Sequence, residues 1–134
     1  MRINDKINEI EQYLSEMSQI IPSNIEEYLQ IKNKAACERY FEKIVEAVAD
    51  LAHLVIKEKR LKNPEEDNKA FEILSQEGII PESLCEKLES AKGMRNIISH
   101  QYGIVDDETV FESITEELIE DVEKFIKSVR VAIK

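Results

Sequence analysis

The stretch "YFEKIVEAVADLAHLV", Tyr40 to Val55, decides the fold class. Phe41, Ile44, Val45, Val48, Leu51, Ala52 and Val55 return every three or four residues, so they line one face of a helix and neither face of a strand. The period extends upstream through Tyr28, Ile31 and Ala35. No Gly or Pro interrupts it, and the spacing predicts one long helix from about Asn24 to Leu61. The run closes in "KEKRLKNP" (Lys57 to Pro64), with basic residues in the last turn and a proline beyond, as a helix C-terminus requires.

Working outward, four more helical segments appear. Ile7, Ile10, Leu14, Met17 and Ile21 form one apolar stripe over about Asn4 to Ile20, and Pro22 and Ser23 end it. Ser23 or Asn24 can cap the long helix, with Glu26 and Glu27 in the first turn where the dipole favours negative charge. A short helix is expected over about Asp67 to Gln76, with Phe71 and Leu74 facing in. "EGIIPES" closes it: Gly78 suits a positive φ past a helix end, and Pro81 or Glu82 a first turn. The next helix runs from about Pro81 to His100 or Gln101, and Gly103 marks its exit. "DDET" (Asp106 to Thr109) caps the last, which carries Val110, Phe111, Ile114, Leu118, Val122, Phe125, Ile126 and Val129. Strand signals are absent. The expectation is an all-α antiparallel bundle of four main helices plus one short one, as a single domain over 1–134.

Composition narrows the classes. The 134 residues suffice to bury a core without disulfide or metal staples. The net charge of −10 counts against a general basic surface for nucleic acid, so any RNA binding must be local. Cys37 and Cys85 lie in helical patterns outside any C-x-x-C pair and read as reduced, buried thiols. "MRINDKINEIEQYL" has no apolar h-region, and no run reaches membrane-spanning length, so a cytoplasmic protein without a membrane role is expected.

The helix after Pro81 carries an anomaly. At 100° per residue from Leu84, the residues Leu88, Ala91 and Ile98 fall within about 40° of Leu84 on either side, and Arg95 falls near 20°, inside this stripe. An arginine there needs a partner carboxylate, a cleft or a ligand, because burying it unpaired is costly. A carboxylate of the long helix, Glu38 or Glu46, is one such partner. Towards the C-terminal end Met94, Ile97 and His100 leave little polar face beyond Asn96 and Ser99. A helix end apolar nearly all round is covered from two sides, which points to a second protomer. Arg95 and His100 are about 140° apart on a straight helix, so they share a cleft only if the helix unwinds or the site spans two chains.

"RNIISHQY", Arg95 to Tyr102, fits the pattern R-x4-H-x-Y, and through this motif and the surrounding stretch from Phe71 to Ile114 the chain resembles the HepT-like branch of HEPN proteins. The resemblance covers nearly the whole chain, including the long second helix. Met94 departs from it slightly, standing where an aromatic is often seen. The resemblance implies a metal-independent RNase toxin without cofactor, paired with a minimal nucleotidyltransferase as antitoxin. It implies a homodimer with both motifs in one cleft, catalysis on Arg95 and His100, and AMP attachment by the partner at Tyr102.

The residue chemistry agrees. Metal-free RNA cleavage uses the neighbouring 2′-OH as nucleophile, histidine serves as general base or acid, and arginine stabilises the growing phosphate charge. Asn96 and Ser99 are polar neighbours that could orient RNA, and Tyr102 could bond a phosphate or stack on a base. Simpler readings stand beside these: a structural ion pair for Arg95, a helix-end histidine for His100 and an interfacial tyrosine for Tyr102. A non-catalytic HEPN module that binds nucleotide or docks a partner is the alternative function. His53 follows Asp50 by three, but a di-iron bundle wants Glu-x-x-His on two helices, so no metal site is expected. The acidic runs "NPEED" and "ITEELIEDVEK" read as solvated faces, and "KEKRLK" as dipole compensation or a guide for RNA.

Overall fold

A computed structural model describes residues 2–62, 69–100 and 106–134. Its helices are α1 (Arg2–Ile20), α2 (Ile25–Tyr28), α3 (Ile31–Glu58), α4 (Ala70–Gln76), α5 (Glu82–His100), α6 (Asp107–Glu112) and α7 (Ile119–Ala132), with a π-helical segment, Ser113–Leu118, joining the last two into one rod. The described residues contain no strand, so the all-α bundle of four main helices is what forms, with two short helices, α2 and α4, where one was expected. No helix among them is long and apolar enough to cross a membrane.

Helix α3 is the central member. It packs against α1, α4 and α5, and α5 packs in turn on α7. The α1–α3 pair is antiparallel: Lys6 faces Asp50, while Tyr40 donates to Glu16. The stripe of Tyr40–Val55 delivers its residues as expected, with Phe41, Ile44, Leu51, Ala52 and Val55 fully buried. Phe71 of α4 meets Phe125 of α7 edge to face, with centroids 5.9 Å apart, and closes the core at that end.

The expected continuous helix from Asn24 is broken. Asn24 caps the single turn α2 by accepting from the Glu27 amide at 2.8 Å. The chain then turns at Leu29 and Gln30, and Gln30 is extended (φ −64°, ψ 136°). The Asn33 side chain holds the break by donating to the Glu27 carbonyl at 2.8 Å. The reason is tertiary. Tyr28 is fully buried and sets its ring 5.2 Å from Phe111 of α6, which draws α2 away from the α3 axis.

The α3 terminus is a complete Schellman motif. The Leu61 amide donates to the Ile56 carbonyl at 2.9 Å and the Arg60 amide to Lys57 at 3.1 Å. Arg60 takes the left-handed position (φ 56°) that glycine usually fills. Gly78 (φ 75°) fills the same position after α4.

At the start of the last rod, Asp106 accepts from the Glu108 and Thr109 amides, as the "DDET" reading expects. Val110, Ile114, Leu118 and Val122 are then buried at steps of four. In a plain α-helix each such step drifts by about 40°. The wider π turns at Ser113–Leu118 absorb the drift and keep all four on the core.

Candidate functional site

The site is built on the seam where α5 runs antiparallel to α3. Leu84, Leu88 and Ile98 are buried and anchor α5 to the bundle. Arg95, in the same stripe, lies at the seam's edge with its side chain 28% exposed. Its Nη2 donates to Glu46 Oε2 at 3.4 Å and its Nη1 to Asn96 Oδ1 at 3.2 Å. The carboxylate partner is therefore Glu46, one of the two candidates. Glu38 lies further along α3, near Lys34 and Asp107, and burial lifts its carboxyl above the usual range. Nε of Arg95 is buried and has no hydrogen-bond partner among the described residues.

One turn further along α5, Ser99 donates to Glu42 Oε2 at 2.8 Å. Glu42 and Glu46 are themselves one turn apart, so α3 offers one carboxylate to Ser99 and the next to Arg95. Glu42 is a residue that sequence reasoning missed. Its signal was available: Glu42, Glu46 and Asp50 repeat at four-residue steps, which places them on one helical face.

The structure brings Arg95, Asn96 and Ser99 together on this seam. Arg95 is turned towards α3, while His100 is exposed at the helix end. Tyr102 lies outside the described residues.

The apolar end of α5 is narrower than its sequence suggests. Met94 is half-buried and packs on the chain's own core. The outward face presents Gly93, Asn96, Ile97 and His100, with Ile97 40% exposed. A Cβ at Gly93 would meet nothing within 4 Å, so the helix surface there is open.

Both cysteines are free and buried. Burial, then a hydrogen bond from Cys85 Sγ to Glu89 Oε1, pushes the Cys85 thiol up to about 12, far from a reactive thiolate. No group of three or more His, Cys, Asp or Glu among the described residues is placed to hold a metal ion.

The fold and the seam thus define an all-α chain with an arginine and a serine bound to carboxylates of a neighbouring helix. The profile of the family "Ribonuclease HepT-like" matches residues 4–129, and the chain belongs to this family, the HepT-like branch of HEPN proteins. A protein of Archaeoglobus fulgidus that carries an RNase name is 30% identical over 109 residues, covering 79% of this chain and 82% of that one. The mRNA nuclease HepT of Shewanella oneidensis is 29% identical over 85 residues, covering 63% of each. Among solved structures, the tri-AMPylated Shewanella oneidensis HEPN toxin in complex with MNT antitoxin superposes with a TM-score of 0.90 at 22% identity, covering 96% of both chains. The cytosolic protein YutE of Bacillus subtilis, of unknown function, gives 0.82 at 17% identity, covering 98% of this chain and 88% of that one. At these identities the superpositions speak for the fold.

Proposed function

We propose that this chain is a metal-independent endoribonuclease toxin, active as a homodimer and neutralised by a nucleotidyltransferase antitoxin that adenylylates Tyr102. The observation that carries the reading is the state of Arg95. Its guanidinium is partly exposed and held by the neighbouring Asn96 amide oxygen at 3.2 Å and by a long contact of 3.4 Å to a carboxylate that is itself 61% exposed. An exposed pair of this kind is worth little, so a phosphate can replace Glu46 at small cost. Bidentate phosphate binding then stabilises the charge that grows on the non-bridging oxygens.

His100 supplies the proton transfers. One imidazole removes the 2′-OH proton as the 2′-oxygen attacks phosphorus. A second, protonated one delivers a proton to the leaving 5′-oxygen. The products are a 2′,3′-cyclic phosphate and a 5′-OH, with no metal and no change of oxidation state. Because Arg95 and His100 face different ways on one helix, the reading takes the pair from two chains, with Ile97 and Gly93 at the contact. Asn96 and Ser99 bind or orient RNA beside them. An AMP on Tyr102 would add bulk and negative charge to a phosphate site and repel RNA.

Family membership, the ribonuclease names of the relatives and the AMPylated toxin–antitoxin complex among the superposable structures support this reading. The net charge of −10 favours the alternative of a non-catalytic module that docks a partner. RNA degradation by the purified protein in EDTA separates the two. Cleavage that disappears in Arg95→Ala and His100→Ala is expected. An inactive parent, or variants that cut equally well, would overturn the ribonuclease reading. For Tyr102, intact mass after incubation with the antitoxin and ATP is decisive, and an adduct that persists in Tyr102→Phe would remove that residue.

A further inference from the structure

The acidic run "ITEELIEDVEK", Ile114 to Lys124, is not solvated along its whole length. Asp121 is 7% exposed, and no other charged residue among those described is buried. It lines a groove of about 290 Å³ between α5 and the last rod. The groove lies on the flank of α5 that meets α7, whereas Arg95 lies on the flank that meets α3.

The walls are part apolar and part acidic. Leu88 and Leu118 are buried, and Ala91 and Met94 are half-buried against the core. Glu86, Lys87 and Glu117 are exposed beside them. The π-helical segment builds the acidic wall. Ser113, Glu117 and Asp121 stand at steps of four, each of which a plain α-helix would rotate by about 40°. Here all three line the same groove, and π turns are frequent at functional sites.

The charges in the groove do not balance. Three carboxylates, of Glu86, Glu117 and Asp121, share the groove with one ammonium, that of Lys87. Lys87 Nζ is 3.8 Å from Asp121 Oδ1, too far for a hydrogen bond, and its side chain is 53% exposed. Lys124 also acts on Asp121, but Glu120 holds it at 3.1 Å. A buried carboxylate is therefore compensated only in part, in a groove with negative charge to spare.

A cation on an apolar stem fits both kinds of wall. The guanidinium of arginine meets a carboxylate with two parallel N–H donors, and its methylenes lie well on apolar surface. The groove falls just short of the ~300–1,000 Å³ of small-molecule sites, so it suits a single side chain. Arginine anchored in a protein surface is a frequent centre of binding energy.

We propose that this groove docks a partner protein through an arginine flanked by apolar side chains. Asp121 takes the guanidinium, Leu88, Ala91 and Met94 take the stem, and Lys87 swings aside. The proposal is independent of the ribonuclease reading, because the groove shares no residue with the seam of Arg95, Glu46 and Ser99.

The test titrates the full chain with a short peptide carrying one arginine between leucines, and with the same peptide carrying citrulline. Citrulline keeps the shape and removes the charge. Calorimetry gives the affinities, and nuclear magnetic resonance follows the methyl groups of Ala91 and Met94. The arginine peptide should shift both methyl signals and bind about tenfold more tightly than the citrulline peptide, the worth of a hydrogen-bonded charge pair. Asp121→Asn, which keeps the side-chain shape, should remove that advantage. Lys87→Ala should tighten arginine binding about two- to fivefold by removing a competing exposed cation. An arginine peptide that does not bind, binds no better than citrulline or ignores Asp121→Asn would overturn the proposal. So would weaker binding in Lys87→Ala. Sedimentation closes the remaining case: a dimer of the parent that is lost in Asp121→Asn would seat a second copy in the groove and remove the outside partner.

Discussion

Ser99 on α5 donates its hydroxyl hydrogen to Glu42 on α3 at 2.8 Å, across a sequence separation of 57 residues. The bond ties the middle of the sequence motif to the central helix. A hydrogen bond to a charged group is worth about 1.5–3 kcal/mol. The pair is only partly buried, so the lower end applies: Ser99→Ala should reduce unfolding stability in urea by about 1.5 kcal/mol. Glu42→Gln should cost less, because the amide oxygen still accepts. A Ser99→Ala loss within experimental error would show that the helices are held without this bond.

The outward face of α5 bears on the oligomer. Ile97 is 40% exposed where the homodimer reading needs an apolar contact. Ile97→Glu should convert a sedimenting dimer to a monomer, abolish RNA cleavage and leave the helical circular-dichroism signal unchanged, because the side chain lies outside the core. A dimer that persists would move the interface elsewhere.

Asp121 makes stability depend on pH. Burial lifts its carboxyl above the ordinary 3.8, and Lys87 opposes the shift only in part. The folded chain therefore binds this proton more tightly than the unfolded chain. The stability contributed by the protonated form is present below the unfolded value and is lost as pH rises through the folded one. Asp121→Asn, which never ionises, should raise the melting temperature at pH 7. Its advantage should shrink as the pH falls towards 3.8. Melting curves at a series of pH values check this. An advantage that does not change with pH would contradict it.

Arg60 occupies a glycine position. Its φ of 56° closes the α3 Schellman motif, and a left-handed residue with a Cβ is strained by roughly 1–2 kcal/mol. Arg60→Gly should raise the urea midpoint by the equivalent of about 1 kcal/mol, part of the strain relief being offset by glycine's larger unfolded-state freedom. A fall in the midpoint would mean that the arginine side chain contributes more than its backbone costs.

Much of the fold was legible because it rests on periodicity. The stripes of α1, α3 and the last rod bury the residues that their spacing picks out, and Asn24 and Asp106 cap where cap chemistry places them. The break at Leu29–Gln30 was not legible. No local residue demands it, and its cause is a contact between Tyr28 and Phe111 on distant helices. In the site, the misplaced arginine announced itself and its partner Glu46 was foreseen. Glu42 was not, because one helix's spacing does not say which face of another it will meet. Met94, read by azimuth alone as part of a helix end covered from two sides, is half-buried against the chain's own core.

The π-helical segment Ser113–Leu118 has a consequence for how this chain tolerates change in length. A wide turn accommodates a surplus residue while both flanks keep their faces to the core. Loss of one residue within it would leave a plain α-helix, with Val110 on one side and Val122 on the other still aimed inward. A deletion that elsewhere in a helix rotates everything downstream out of register is, at this place, an edit the fold can absorb.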